Sequence, residues 1–161
     1  MAKARSAGTP ATVALTRAGI AHTLHPYAHA DGTSSYGEEA AAALGVAPER
    51  IFKTLLADLG AELVVAVVPV ARQLDLKALA SALGAKKAVM ADPAAATRST
   101  GYVLGGISPL GQRTRLRTVV DRSATDLPTV LVSAGRRGLQ VELAPDDLVR
   151  ATGALVAVIG H

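Results

Sequence analysis

The chain has 161 residues, half of them hydrophobic, with no cysteine and a formal net charge of +4. That length and apolar content suit one domain spanning 1–161 with a real core, and they exclude a disordered chain. Without cysteine there is no disulfide framework, no thiolate zinc site and no Cys nucleophile. The basic excess, with a sequence pI of about 9.8, points to a polyanionic partner and lies mainly in the second half. Arg98, Arg113, Arg115, Arg136 and Arg137 are the candidate contacts there. Aromatic residues make up only 2% of the chain, so a nucleic acid would be gripped by its phosphates rather than by stacked bases. The longest apolar run, from Leu63 to Ala71, is too short to span a bilayer and is broken by Pro69. The basic start, Met1 to Ser6, has no apolar stretch behind it. The expectation is therefore a cytoplasmic protein with no membrane partner.

In chain order, Thr9-Pro10 puts an N-cap before a proline at the first helical position. Ala11, Ala14, Leu15 and Ala18 then share a face up to Gly19, and Ile20 to Ala28 reads as extended. Ser35-Tyr36-Gly37-Glu38 fits a capping box before an Ala-rich helix that stops at Gly45. Phe52 to Asp58 and Glu62 to Val68 read as a hairpin. Asp75 caps a helix with Leu76, Leu79, Ala80 and Leu83 on its inner face, and Asp92-Pro93 opens another. Strands follow at Thr118 to Val120, Thr129 to Ser133 and Leu139 to Leu143, then a helix from about Asp146 and a last strand within Ala154 to Ile159. Helices between hairpin-like pairs predict a mixed α/β sheet.

Four features bear on chemistry. The stretch from Arg98 to Gly111 is rich in Gly and Pro yet carries Tyr102, Val103, Leu104, Ile107 and Leu110 as apolar anchors. It reads as a rigid loop whose Gly105-Gly106 amides suit an oxyanion or phosphate, or else as a tight turn between strands. Lys53 stands at the start of an apolar strand and either snorkels to solvent or points into a pocket. Ser133-Ala134-Gly135-Arg136-Arg137-Gly138 is a second glycine-bearing loop, a turn with solvated charges or an anion clamp. His22, His25 and His29 lack the companions of a metal site, so no metal is expected. Ser108 sits in no Gly-x-Ser-x-Gly elbow, and no downstream histidine precedes His161, which argues against a Ser-His-Asp hydrolase. The glycine spacing matches neither a Walker loop nor a dinucleotide fingerprint.

Several segments stand in a specific order: Phe52-Lys53-Thr54-Leu55-Leu56, Val70-Ala71-Arg72-Gln73-Leu74-Asp75-Leu76-Lys77, and Leu83-Gly84-Ala85-Lys86-Lys87. Met90-Ala91-Asp92-Pro93, the loop from Arg98 to Gln112, Ser133 and Arg137-Gly138-Leu139 continue it. Over about Leu15 to Thr152 the chain is similar to the YbaK/EbsC family. The resemblance implies an α/β domain with a mixed, curved, barrel-like sheet packed with helices, related to the editing domain of bacterial prolyl-tRNA synthetases. It implies trans-editing: hydrolysis of the ester between a wrong amino acid, cysteine foremost, and the terminal ribose of tRNA(Pro). Lys53 would orient the acceptor end, and Gly105, with Gly106 beside it, would position the substrate carbonyl. Tyr27, Thr54, Ser108, Ser133, Gly135 and Gln140 form the expected substrate-binding set. No cofactor is implied; mischarged tRNA(Pro) and prolyl-tRNA synthetase are the implied partners. The proposal attached to such proteins is that the thiol of the substrate cysteine itself attacks the ester. Alanine as the edited residue, or a non-catalytic tRNA- or synthetase-binding module, are the alternatives. Similar proteins often carry an acid where this chain has Gln140, which can accept a hydrogen bond but brings no charge.

Overall fold

A computed structural model describes residues 8–30 and 35–161. Thr9 caps α1 (Pro10–Arg17) as expected, its side chain accepting from the Thr12 N–H. α2 (Tyr36–Leu44) ends at Gly45 in the left-handed region, but its start differs from expectation. Ser35 makes no side-chain cap bond, because its ψ of 68° departs from the extended geometry that aims a cap side chain at the third helical N–H. The remaining helices are α3 (Leu76–Ala82), α4 (Pro93–Thr100) and α5 (Pro145–Thr152), and a 3₁₀ turn covers Arg122–Asp126. Asp75 and Asp92 cap α3 and α4 through their carboxylates.

The strands are β1 (Thr23–Pro26), β2 (Phe52–Asp58), β3 (Leu63–Pro69), β4 (Val89–Met90), β5 (Thr118–Asp121), β6 (Val130–Arg136), β7 (Leu139–Leu143) and β8 (Leu155–Ala157). They are mixed in direction, as expected, and divide between two sheets. One has the order β1-β7-β6 and the other β4-β2-β3-β5-β8. The β2–β3 and β6–β7 pairs are antiparallel, whereas β3–β5 and β5–β8 are parallel.

The sheets touch where Ile51 forms a parallel bridge with Leu131, the Leu131 N–H donating to the Arg50 carbonyl at 3.0 Å. This junction brings the start of β2 against β6. The main apolar cluster, including Phe52, Leu56, Val65, Val120, Val132 and Val141, fills the space between the sheets. A second cluster joins Val64, Ala66, Val68 and Val119 to Leu79 and Leu83 of α3. Alternating residues of β3 therefore serve two different cores, as the period of two requires. Among the described residues no helix is long and apolar enough to cross a membrane.

Candidate active site

The sheet junction opens onto a cavity of about 660 Å³, within the size range of small-molecule sites. Its floor comes from both sheets: Phe52, Lys53 and Thr54 from β2, Ser133 from β6 and Gln140 from β7. Ser133 and Gln140 are direct cross-strand partners. The first turn of α2 contributes Tyr36 and Glu38, the segment after β3 contributes Arg72 and Gln73, and the long loop contributes Leu104, Gly105 and Ile107.

Lys53 points into this cavity. Burial pushes its ammonium below the ordinary lysine range, and Glu38 partly offsets that shift. The hydroxyl oxygen of Thr54 and the Oε1 of Gln140 are buried and have no hydrogen-bond partner. Buried polar atoms are nearly always satisfied, so two orphans lining one cavity point to a ligand that satisfies them.

The strand register is held from below by a polar cluster. Arg50 Nη2 donates to Glu142 Oε2 at 3.1 Å and contacts Thr129 Oγ1 at 2.6 Å, and Thr129 also donates to Glu142. His25 Nε2 meets Glu142 Oε1 at 2.8 Å. Arg50 leads into β2 and Glu142 lies on β7, so this cluster locks the two strands that carry Lys53 and Gln140.

The two glycine-bearing loops form one wall. Tyr102, Ile107 and Leu110 are buried, and the Tyr102 hydroxyl donates to the Leu110 carbonyl at 2.6 Å. Val103 and Leu104 are not anchors; they are 54% and 43% exposed at the loop tip. Arg98 to Thr100 belong to α4, so the loop proper begins at Gly101, the left-handed C-cap. The Gly106 N–H donates to the Val103 carbonyl at 2.9 Å and is thereby committed to the turn. Among the described residues the Gly105 N–H has no acceptor. A Cβ on Gly106 would lie 2.9 Å from the Arg136 backbone, so the loops meet there at backbone distance. Arg137 fastens the contact, its Nε donating to the Leu104 carbonyl at 2.8 Å and its guanidinium lying 4.9 Å from the centre of the Tyr36 ring.

Of the expected pocket residues, Lys53, Thr54, Gly105, Ser133 and Gln140 meet in the cavity, whereas Tyr27, Gly106, Ser108 and Gly135 lie outside its lining. Ser108 is fully buried, its Oγ accepting from the Leu110 N–H within a turn. A Cβ on Gly135 would meet Tyr102 and Thr9, which marks packing. Tyr27 packs beside Ile51 and Leu131 under α2. Of the arginines, Arg137 borders the wall, while Arg98, Arg113 and Arg115 are exposed away from the cavity lining. Arg136 is exposed beside Gly106. The three histidines have separate partners: His22 the Ile20 carbonyl, His25 Glu142, and His29 Glu39. Tyr36, Glu38, Arg72 and Gln73 are site residues that sequence reasoning misses. The pattern around Tyr36 and Glu38 marks only a helix cap, and the one signal for a site is their place directly after a polar run in the sequence.

These features define a polar cavity with a cation, unsatisfied acceptors and a glycine-bearing wall, suited to a small polar ligand. Residues 30–151 match the aminoacyl-tRNA editing domain, and the chain belongs to that family. It is 41% identical over 124 residues to EbsC of Enterococcus faecalis (strain ATCC 700802 / V583), a protein named for Cys-tRNA(Pro)/Cys-tRNA(Cys) deacylation. That match covers 76% of this chain and 75% of EbsC. Among solved structures, one named as a trans-editing enzyme for prolyl-tRNA synthetase superposes with a TM-score of 0.84 at 25% identity, covering 94% of this chain and 95% of the other. The hypothetical protein APE2540 superposes with a TM-score of 0.81 at 29% identity, covering 91% and 96%.

Proposed function

We propose that this chain is a trans-editing deacylase that cleaves the aminoacyl ester of Cys-tRNA(Pro). The observation that carries the reading is the cavity at the sheet junction, lined by Lys53, by Thr54 and Gln140 with their orphaned oxygens, and by Gly105, whose N–H has no acceptor among the described residues. Lys53 holds the acceptor end by its negative charge, as a compact cation suits. The Gly105 N–H faces the ester carbonyl and stabilises negative charge on its oxygen during attack. Family membership and the kinship with EbsC support the reaction class.

Among the described residues no histidine lines the cavity, and the Ser133 hydroxyl accepts from the Gly135 N–H at 3.1 Å. This supports a nucleophile supplied by the substrate. The cysteine sulfur bonds to the ester carbon, the bond to the ribose oxygen breaks, and the thiol proton goes to that oxygen. Water then opens the resulting thiolactone to free cysteine. Size alone separates small amino acids by only about 1–3 kcal/mol per methylene, so a thiol requirement excludes alanine and proline more sharply. The exposed arginines support contact with the acceptor stem, and prolyl-tRNA synthetase is the partner that would present the tRNA.

Single-turnover hydrolysis of Cys-tRNA(Pro), Ala-tRNA(Pro) and Pro-tRNA(Pro), with and without prolyl-tRNA synthetase, tests this. Rapid loss of cysteine alone is expected. A preference for alanine would keep the reaction and overturn the thiol route. Intact esters throughout, with tRNA retained, would replace the enzyme by a binding module.

A further inference from the structure

The cavity holds opposite charges that feel each other without pairing directly. Lys53 and Arg72 line it, yet Glu38, the one acid among its described lining residues, forms no ion pair with either. Glu38 lies in the first turn of α2, and the adjacent Glu39 is already engaged with His29 and the Ala30 N–H. A carboxylate in a first turn ordinarily complements the helix dipole. Here it also faces a cavity with two unsatisfied buried oxygens, at Thr54 and Gln140.

An aminoacyl ester brings a cation to match. Its α-ammonium offers three donors, and the two orphaned oxygens can accept from it but supply no countercharge. We infer that Glu38 reads the α-ammonium of the aminoacyl group, making the cavity selective for α-amino esters over uncharged acyl esters. The inference rests on the deacylase reading above. It divides the site by charge: the ammonium lies toward α2, and the phosphate-bearing acceptor end lies toward Lys53.

The test compares Cys-tRNA(Pro) with the same tRNA esterified by 3-mercaptopropionate, which keeps the thiol and lacks the amino group. Each enzymatic rate is divided by the spontaneous rate of its ester, since an α-ammonium activates the carbonyl by itself. The wild-type protein should prefer the amino ester by about tenfold or more, as a charge-assisted contact implies. Glu38→Gln should bring the two normalised rates close together by slowing only the amino ester. Glu38→Asp should keep part of the preference. An unchanged rate on the mercaptopropionyl ester shows at the same time that the variant is folded. A Glu38→Gln protein that still discriminates as wild type, or that loses both activities in parallel, would overturn the inference while leaving the deacylase reading intact. Equal wild-type rates on the two esters would do the same. If the wild-type protein cleaves neither ester, the deacylase reading falls and this inference with it.

Discussion

Lys53 is a cation that the folded chain holds at a cost in stability. Its ammonium is partly desolvated, so the folded state holds the charged form less well than the unfolded chain does. The associated cost is fully present below the folded pKa and disappears as pH rises toward the unfolded value near 10.4. Lys53→Met should therefore leave thermal stability at neutral pH unchanged or raised, while deacylation falls by about a hundredfold, the scale expected for removing a charge-assisted hydrogen bond. Denaturation and single-turnover assays on the same preparation check both halves. Wild-type activity should decline with rising pH at a lower value than an ordinary lysine would set. Gly105 is constrained differently. With a φ of +82°, it would carry a Cβ within 2.6 Å of the Tyr36 ring. Gly105→Ala should cost about 1–2 kcal/mol from the left-handed backbone alone and displace Tyr36 from the cavity wall. Normal turnover in that variant would contradict the role given to the loop.

Elements are held in place here by single polar residues at their ends. Asp121, 1% exposed at the end of β5, accepts from the N–H groups of Ile159 and Gly160 through Oδ1 and from Ser123 through Oδ2. Burial alone would push its carboxyl up; these hydrogen bonds outweigh that and hold it low. Its stabilisation is present above the unfolded pKa and is lost as pH falls through the lower folded value. Asp121→Asn sets an amide NH₂ against the Ser123 donors and should cost about 1–3 kcal/mol, read by urea denaturation. The mutant should also show a shallower loss of stability in acid. Where the two loops meet, Gly106→Ala would push the wall away from Arg136, with less effect on Lys53 than on the position of Gly105.

For the molecule as a whole, charge and cavity are separable. Arg98 and Arg113 both lie at the C-terminal end of α4, where the Arg113 N–H donates to the Thr100 carbonyl, and both are exposed. Arg98→Ala with Arg113→Ala should weaken tRNA retention and reduce the logarithmic salt slope by about 0.7–0.9 for each phosphate that is no longer neutralised. The rate of ester cleavage at saturating tRNA should not change. A variant that lowered the chemical rate while keeping the salt slope would place these arginines at the site instead.

Local sequence determined most of the elements: Thr9, Asp75 and Asp92 cap their helices, Gly45 ends one of them, and the Phe52–Asp58 hairpin strand has its expected bounds. Those signals are short-range, written in backbone preference and periodicity. Lys53 and the two glycine loops stand out for the same reason, because residue type at one position already restricts the chemistry. Whether Lys53 faces solvent or a pocket is open in the sequence, and so is the fate of each glycine amide. Tertiary structure decided both, by joining two sheets at Ile51 and Leu131 and pressing the Gly106 turn onto Arg136. It also committed the Gly106 N–H to a turn, turned Val103 and Leu104 outward, and brought Tyr36 and Glu38 into a site that their helix-start pattern does not reveal. Contacts between residues far apart in the chain leave no periodic trace, so only the packed chain could reveal them.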